Sequence, residues 1–199
     1  MRDWHTPRAP PLLRRGSGMR QNAKAAKVHA GLVAETERLA LREFTPADAP
    51  FVLRLLNEPS FLHNIGDRGV RTADEASRYL SDGPIASYAR YGHGLYLVAL
   101  KPALQPIGMC GLLKRDGVRD VDLGYAFLPE FWSNGYALES AEAVLGIARR
   151  LRLTRVAAFV SPGNAPSIRL LDKLGFSPAG ETKLEPAAAP VSIYRLQLR

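Results

Sequence analysis

Apolar residues recur along this chain with two periods, and the switches between them mark its elements. From Val121 to Leu128 they alternate: Val121, Leu123, Tyr125 and Phe127 fall on one face, Asp122, Gly124, Ala126 and Leu128 on the other, which predicts a strand. Pro129 cannot donate to a ladder, so the strand is expected to end there. Leu138, Ala141, Val144, Leu145, Ala148 and Leu151 then recur every three or four residues and predict a helix with one buried face.

The same reading runs along the rest of the chain. Thr36 to Phe44 alternates Leu39 and Leu41 among charges and predicts the first strand. Thr45-Pro-Ala-Asp48 is a helix start with Pro46 at the first helical position, ahead of Phe51, Val52, Leu55 and Leu56. Asn57 to Arg71 has neither period. Thr72-Ala-Asp-Glu75 is a second start, for a helix through Ala76, Tyr79 and Leu80 that resumes past Gly83-Pro84 to Tyr88. Gly94–Leu100 and Ile107–Leu113 predict an antiparallel pair whose ladders stop at Pro102 and Pro106, and Asp116-Gly117 is the next turn. Arg155–Val160 is apolar on both faces, as a central strand is. Asn164–Leu174 is a last helix closed by Gly175, and Phe176–Leu184 and Val191–Leu198 are closing strands. The order β-α-α-β-β-β-α-β-α-β-β predicts an α/β fold, a mixed and mostly antiparallel central sheet flanked by helices.

Composition changes the picture at one end only. The net charge of +8 divides unevenly: residues 1–30 hold seven Lys/Arg and one acid, or +6, and residues 31–199 hold twenty against eighteen, or +2. The basic tail, with Pro7, Pro10 and Pro11, is expected to be disordered, and residues 31–199 to form a single domain. A solvated extension, an upstream start ahead of Met19, a basic arm touching RNA or a ribosome, and a transit peptide are the readings of that tail. One cysteine, Cys110, and the lack of a secretory h-region fit a cytoplasmic protein, and no apolar run reaches the roughly 20 residues of a membrane span. The four histidines have no metal spacing, so no metal is expected; His63 and His93 are candidates to line a cleft, and Cys110 to be core.

Chemistry is concentrated between the strand at Val121 and the helix after it. Trp132-Ser-Asn-Gly-Tyr-Ala137 is a glycine-bearing loop feeding a helix N-terminus, where unpaired N–H groups and the dipole favour an anion such as a pyrophosphate. This segment resembles motif A of the GNAT N-acetyltransferases, in the Trp-x-x-Gly-Tyr-Ala form of their ribosomal-protein acetyltransferase-like (RimJ/RimL) branch. Asn164-Ala-Pro-Ser167, followed by Lys173-Leu-Gly-Phe176, is similar to the family's Asn-x-x-Ser…Lys-Leu-Gly-Phe segment, in the right order and at the right distance. The resemblance covers roughly residues 34 to 198.

The resemblance implies an N-acetyltransferase that moves an acetyl group from acetyl-CoA directly to a primary amine, a protein N-terminus or a small amine. The backbone of Ser133, Asn134, Gly135, Tyr136 and Ala137, after Trp132, would hold the pyrophosphate. Phe127 and Leu128 would meet the pantetheine where strands splay, and Asn164 would bond it while capping its helix. Ser167 would stand near the CoA sulfur as an acid, the tyrosine many relatives carry on that helix being absent. Attack requires a neutral amine, and Asp122 is the candidate base; pairing with an arginine and facing solvent are its other readings, and Glu181 is a weaker candidate. A CoA-binding sensor without catalysis is the rival reading, and an open sheet edge is compatible with a homodimer.

Overall fold

Thr36 reverses the chain early. Its N–H donates to Leu39 O and its Oγ1 accepts from Leu39 N–H, both at 2.9 Å. The segment expected as the first strand, Thr36 to Phe44, therefore holds β2 (Leu39–Arg42), and a strand not expected, β1 (Leu32–Glu35), precedes it to complete a hairpin. The computed structural model describes residues 31–184 and 189–198; the reading of residues 1–30 as a disordered basic tail lies outside them. Helix α1 (Ala49–Leu56) follows a single 3₁₀ turn at Pro46–Asp48.

The stretch without period holds a short helix, α2 (Pro59–Asn64), which buries only Phe61 and so leaves no repeat to read. Helix α3 (Ala73–Leu80) starts at the expected capping box, Thr72 Oγ1 accepting from Glu75 N–H and Glu75 accepting from Thr72 N–H. It does not break at Gly83-Pro84. A widened π turn, Ser81–Ile85, takes in the proline, which has no N–H to donate, and leads into α4 (Ala86–Tyr91).

Strands β3 (Leu95–Leu100), β4 (Gln105–Leu113) and β5 (Val121–Phe127) are antiparallel neighbours. Pro106 does not stop its ladder as expected: it pairs opposite Ala99 beside a register shift, where a missing donor is tolerated. Helix α5 (Tyr136–Arg150), strand β6 (Arg155–Val160), helix α6 (Ala165–Lys173) and strands β7 (Ser177–Thr182) and β8 (Val191–Gln197) complete the described chain. The sheet order is β1-β2-β3-β4-β5-β6-β8-β7, and β5–β6 is its parallel pair. This is the mixed, mostly antiparallel α/β arrangement expected.

Each face of the sheet carries a core. Leu123 and Phe127 pack with Leu39, Ile107 and Cys110 under α5, where Ala141, Val144 and Ala148 are fully buried, and with Leu171 of α6. Ala126 and Leu128 face the other way, against Val52 and Leu55 of α1 and Ala76 and Leu80 of α3. The alternation in β5 thus divides two cores. Cys110 is filling, as expected, and burial pushes its thiol up to about 12.

Candidate functional site

Strands β5 and β6 pair only at Val121↔Val156 and Asp122↔Ala157, and then part. Leu128 N–H donates to Ile107 O at 3.0 Å, so the even residues of β5 are in the ladder with β4. N–H and C=O of one residue point to the same side of an antiparallel strand, so Leu123, Tyr125 and Phe127 turn theirs toward the gap. The result is a wedge with backbone donors and acceptors along one wall.

Beyond the wedge the chain makes a 3₁₀ turn, Pro129–Phe131, and enters the loop before α5. Ser133 and Gly135 both take left-handed backbone, φ 62° and 81°. The loop's carbonyls are engaged from within the protein: Asn134 Nδ2 donates to Trp132 O at 2.9 Å, Arg38 Nη1 to Asn134 O at 3.0 Å, and Glu139 N–H to Gly135 O at 3.1 Å. Among the described residues, no hydrogen bond engages the N–H groups of Ser133, Asn134, Gly135, Tyr136 or Ala137. Ser133, Asn134 and Gly135 are exposed. Unpaired donors at the N-terminus of a fifteen-residue helix are suited to an anion.

Two of the expected contacts are taken internally. Trp132 lies half exposed and donates its indole N–H to Phe127 O at 2.8 Å, so that carbonyl is capped and Phe127 keeps its N–H for the gap. Leu128 departs from expectation: its N–H bonds Ile107 O, its carbonyl accepts from Phe131 N–H at 3.0 Å, and its side chain is buried against the opposite core. It offers the gap nothing.

On the far side of the wedge, Asn164 caps α6, its Oδ1 accepting from Ser167 N–H at 3.2 Å. Tyr125 reaches across from β5, its hydroxyl donating to Ser167 O at 3.4 Å. Burial pushes this phenol up to about 12, so it is a protonated donor at neutral pH. Sequence reading gave Tyr125 no role because only the fold brings it to the first turn of α6. Its place on the same strand face as Leu123 and Phe127 was the available signal.

Asp122 sits where the strands part and is 1% exposed. Of its alternative readings, pairing with an arginine is the one found: Arg115 Nε donates to Oδ1 at 2.9 Å and Nη2 to Oδ2 at 3.2 Å. Burial raises the carboxyl above the ordinary range, against the pull of Arg115. Gly124, on the same strand face as Asp122, leaves no open room beside it, since a Cβ there would lie 2.5 Å from Leu113 Cδ1. Arg115 in turn lies over the Phe159 ring, 6.0 Å from its centroid. Glu181 is exposed on β7.

His93 is buried with Nδ1 3.2 Å from Leu112 O, stacked on Tyr91, and His63 is exposed on α2. A cavity of about 300 Å³ opens beside Leu113, between the α3–α4 arm and the ends of β3 and β4, lined among others by Tyr79, Ser87, Tyr91 and Lys114. Among the described residues no helix is long and apolar enough to cross a membrane.

Residues 38–177 match the family model described as acetyltransferase (GNAT) domain. The uncharacterized N-acetyltransferase YoaA of Bacillus subtilis (strain 168) is 28% identical over 151 residues, 74% of this chain and 84% of that protein. Among solved structures, an acetyltransferase from Agrobacterium tumefaciens str. C58 aligns with a TM-score of 0.70 at 24% identity, over 83% of this chain and 94% of that one. RimL, a ribosomal L7/L12 alpha-N-protein acetyltransferase in complex with coenzyme A, aligns with a TM-score of 0.73 at 17% identity, over 84% of this chain and 98% of that one. At these identities the structural likenesses speak to the fold.

Proposed function

The chain belongs to the GNAT acetyltransferase family, and on that footing we propose that it transfers an acetyl group from acetyl-CoA directly to a primary amine. The observation that carries the reading is the pairing of the β5–β6 wedge with the open row of N–H groups from Ser133 to Ala137 at its mouth. That row suits a diphosphate, and Leu123, Tyr125 and Phe127 suit the amides of a pantetheine arm lying along β5 as an added strand. Asn164 borders the same wedge and caps α6 at once.

Acetyl-CoA supplies an acetyl group activated as a thioester; the amine nitrogen takes it, the sulfur leaves, and one proton moves from nitrogen to sulfur or solvent. The chain's part is to hold the carbonyl and receive the sulfur. Phe127 N–H, at the mouth, serves the pantetheine arm, and a gap-facing backbone N–H deeper on β5 is the donor for developing negative charge on the carbonyl oxygen. The Ser167 hydroxyl, at the first turn of α6, and the Tyr125 hydroxyl beside it are the groups assigned to the departing sulfur. Both oxygens of Asp122 hold Arg115, so we assign this carboxylate to fixing Arg115 against Phe159 at the acceptor side, and the amine's proton to solvent.

The acceptor is proposed to approach from the α3–α4 side, where the cavity beside Leu113 opens. RimL's name describes acetylation of a protein α-amine, and a protein N-terminus is the acceptor favoured here, with a small amine second. Release of free thiol from acetyl-CoA against N-terminal peptides and small amines tests the reading. Turnover on either amine class supports it. Acetyl-CoA binding without turnover on any amine would favour a CoA-binding sensor.

A further inference from the structure

The loop at Ser133–Gly135 has a conformation that needs an external hold. Ser133, which carries a Cβ, and Gly135 both sit in left-handed backbone, and all three residues are exposed. The hold comes from a residue 96 positions earlier in the chain, Arg38, in the turn between β1 and β2.

Arg38 Nη1 donates to Asn134 O at 3.0 Å, and its guanidinium lies over the Tyr136 ring, 4.7 Å from the centroid. Nη2 lies so close to Gly135 that a Cβ there would stand 3.4 Å from it. A trans peptide points C=O and N–H in opposite directions, so drawing Asn134 O inward aims Gly135 N–H outward. Asn134 Nδ2 on Trp132 O does the same for Ser133 N–H.

Arg38 is itself fixed from the first turn of α5. Glu139 accepts from Arg38 Nε at 2.7 Å and Nη2 at 2.6 Å, and from Arg38 N–H at 3.0 Å. Thr36 Oγ1 donates to the same carboxylate at 2.5 Å. Burial works against this charge, but the bonds from Thr36 and Arg38 hold the carboxyl below its usual range. One carboxylate thus ties the β1–β2 turn to the helix whose N-terminus the loop feeds.

We infer that Arg38, oriented by Glu139, is a positioning residue that aims the loop's N–H groups at the diphosphate of acetyl-CoA. This rests on the reading of the loop given above. It departs from plain electrostatics in one respect. Removing the negative charge of Glu139 beside an anion site would tighten binding if charge alone mattered, whereas losing the hold weakens it.

The test is calorimetric titration of coenzyme A into wild type, Arg38→Ala, Arg38→Lys and Glu139→Gln, with S-acetylpantetheine, which lacks the diphosphate, as the second acyl donor. All three variants are expected to bind coenzyme A about tenfold more weakly or worse, lysine lacking the planar guanidinium that bonds and stacks together. Their kcat/KM is expected to fall far less with S-acetylpantetheine than with acetyl-CoA, whereas a general loss of structure would lower both alike and overturn the inference. Tighter coenzyme A binding by Glu139→Gln, or wild-type affinity in Arg38→Ala or Arg38→Lys, would overturn the inference alone. Wild type failing to bind coenzyme A at millimolar concentration would instead overturn the reading of the loop beneath it.

Discussion

Trp132 donates its indole N–H to the carbonyl of Phe127 at 2.8 Å, bonding the first residue of the loop to the last residue of β5. The bond fixes how the chain leaves the strand and caps the last β5 carbonyl facing the wedge. Trp132→Phe removes the donor and keeps an aromatic ring. Stability should fall by about 1 kcal/mol, the net worth of an ordinary hydrogen bond, in denaturant unfolding. Coenzyme A affinity should fall only severalfold, because the row of N–H groups is left in place.

Gly135→Ala puts a Cβ on left-handed backbone, φ 81°, with Arg38 Nη2 at 3.4 Å. About 1–2 kcal/mol of strain is expected. Relief by rotating the peptide would turn its N–H away from the anion site. Thermal unfolding should therefore show a modest loss, and coenzyme A should no longer raise the midpoint at concentrations that protect wild type. An undiminished upward shift in the variant would remove Gly135 from the site.

Tyr125 and Ser167 face the departing sulfur in this account. Tyr125→Phe and Ser167→Ala should each lower kcat about a hundredfold at most, the lower end of what a positioned proton donor contributes, with coenzyme A affinity near wild type. Since burial pushes the Tyr125 phenol up to about 12, it stays protonated through neutral assays. Activity supported by it should hold as pH rises from 7 to 9. An unchanged kcat in both variants would leave the sulfur without a donor from this chain.

Asp122→Asn leaves Arg115 without its counter-charge at a position 2% exposed on the carboxylate side and 31% on the arginine side. Arg115 keeps some solvent, and the neutral amide is easier to bury, so about 1–2 kcal/mol of stability should be lost. The shape of the pH profile of kcat/KM should not change. Loss of an acidic limb in the variant would return Asp122 to the role of general base.

How much of this was legible in the sequence follows from what each signal depends on. The alternation in β5 and the three-to-four repeat of α5 are local patterns, and both stand where the sequence puts them. Helix α2 escaped because a six-residue helix burying one side chain has no period. Pro84 reads as a break, yet a π turn admits it. At the site, the loop and the Asn164 cap were readable as motifs. Pairs made by the fold were not: Trp132 with Phe127, Tyr125 with Ser167, and Arg38 with Glu139 join segments whose approach no local spacing encodes. Asp122 was readable as an acid on the strand face of Gly124 and Ala126, with arginine pairing and solvent both open, and its burial with Arg115 depends on the β4–β5 turn.

The most direct measurement is a backbone amide NMR titration with acetyl-CoA. If the loop and wedge hold the acyl donor, the Ser133–Ala137 amides and those of Leu123, Tyr125 and Phe127 should shift together with one Kd. Shifts confined elsewhere on the molecule, with the Ser133–Ala137 amides unmoved at saturation, would contradict the account.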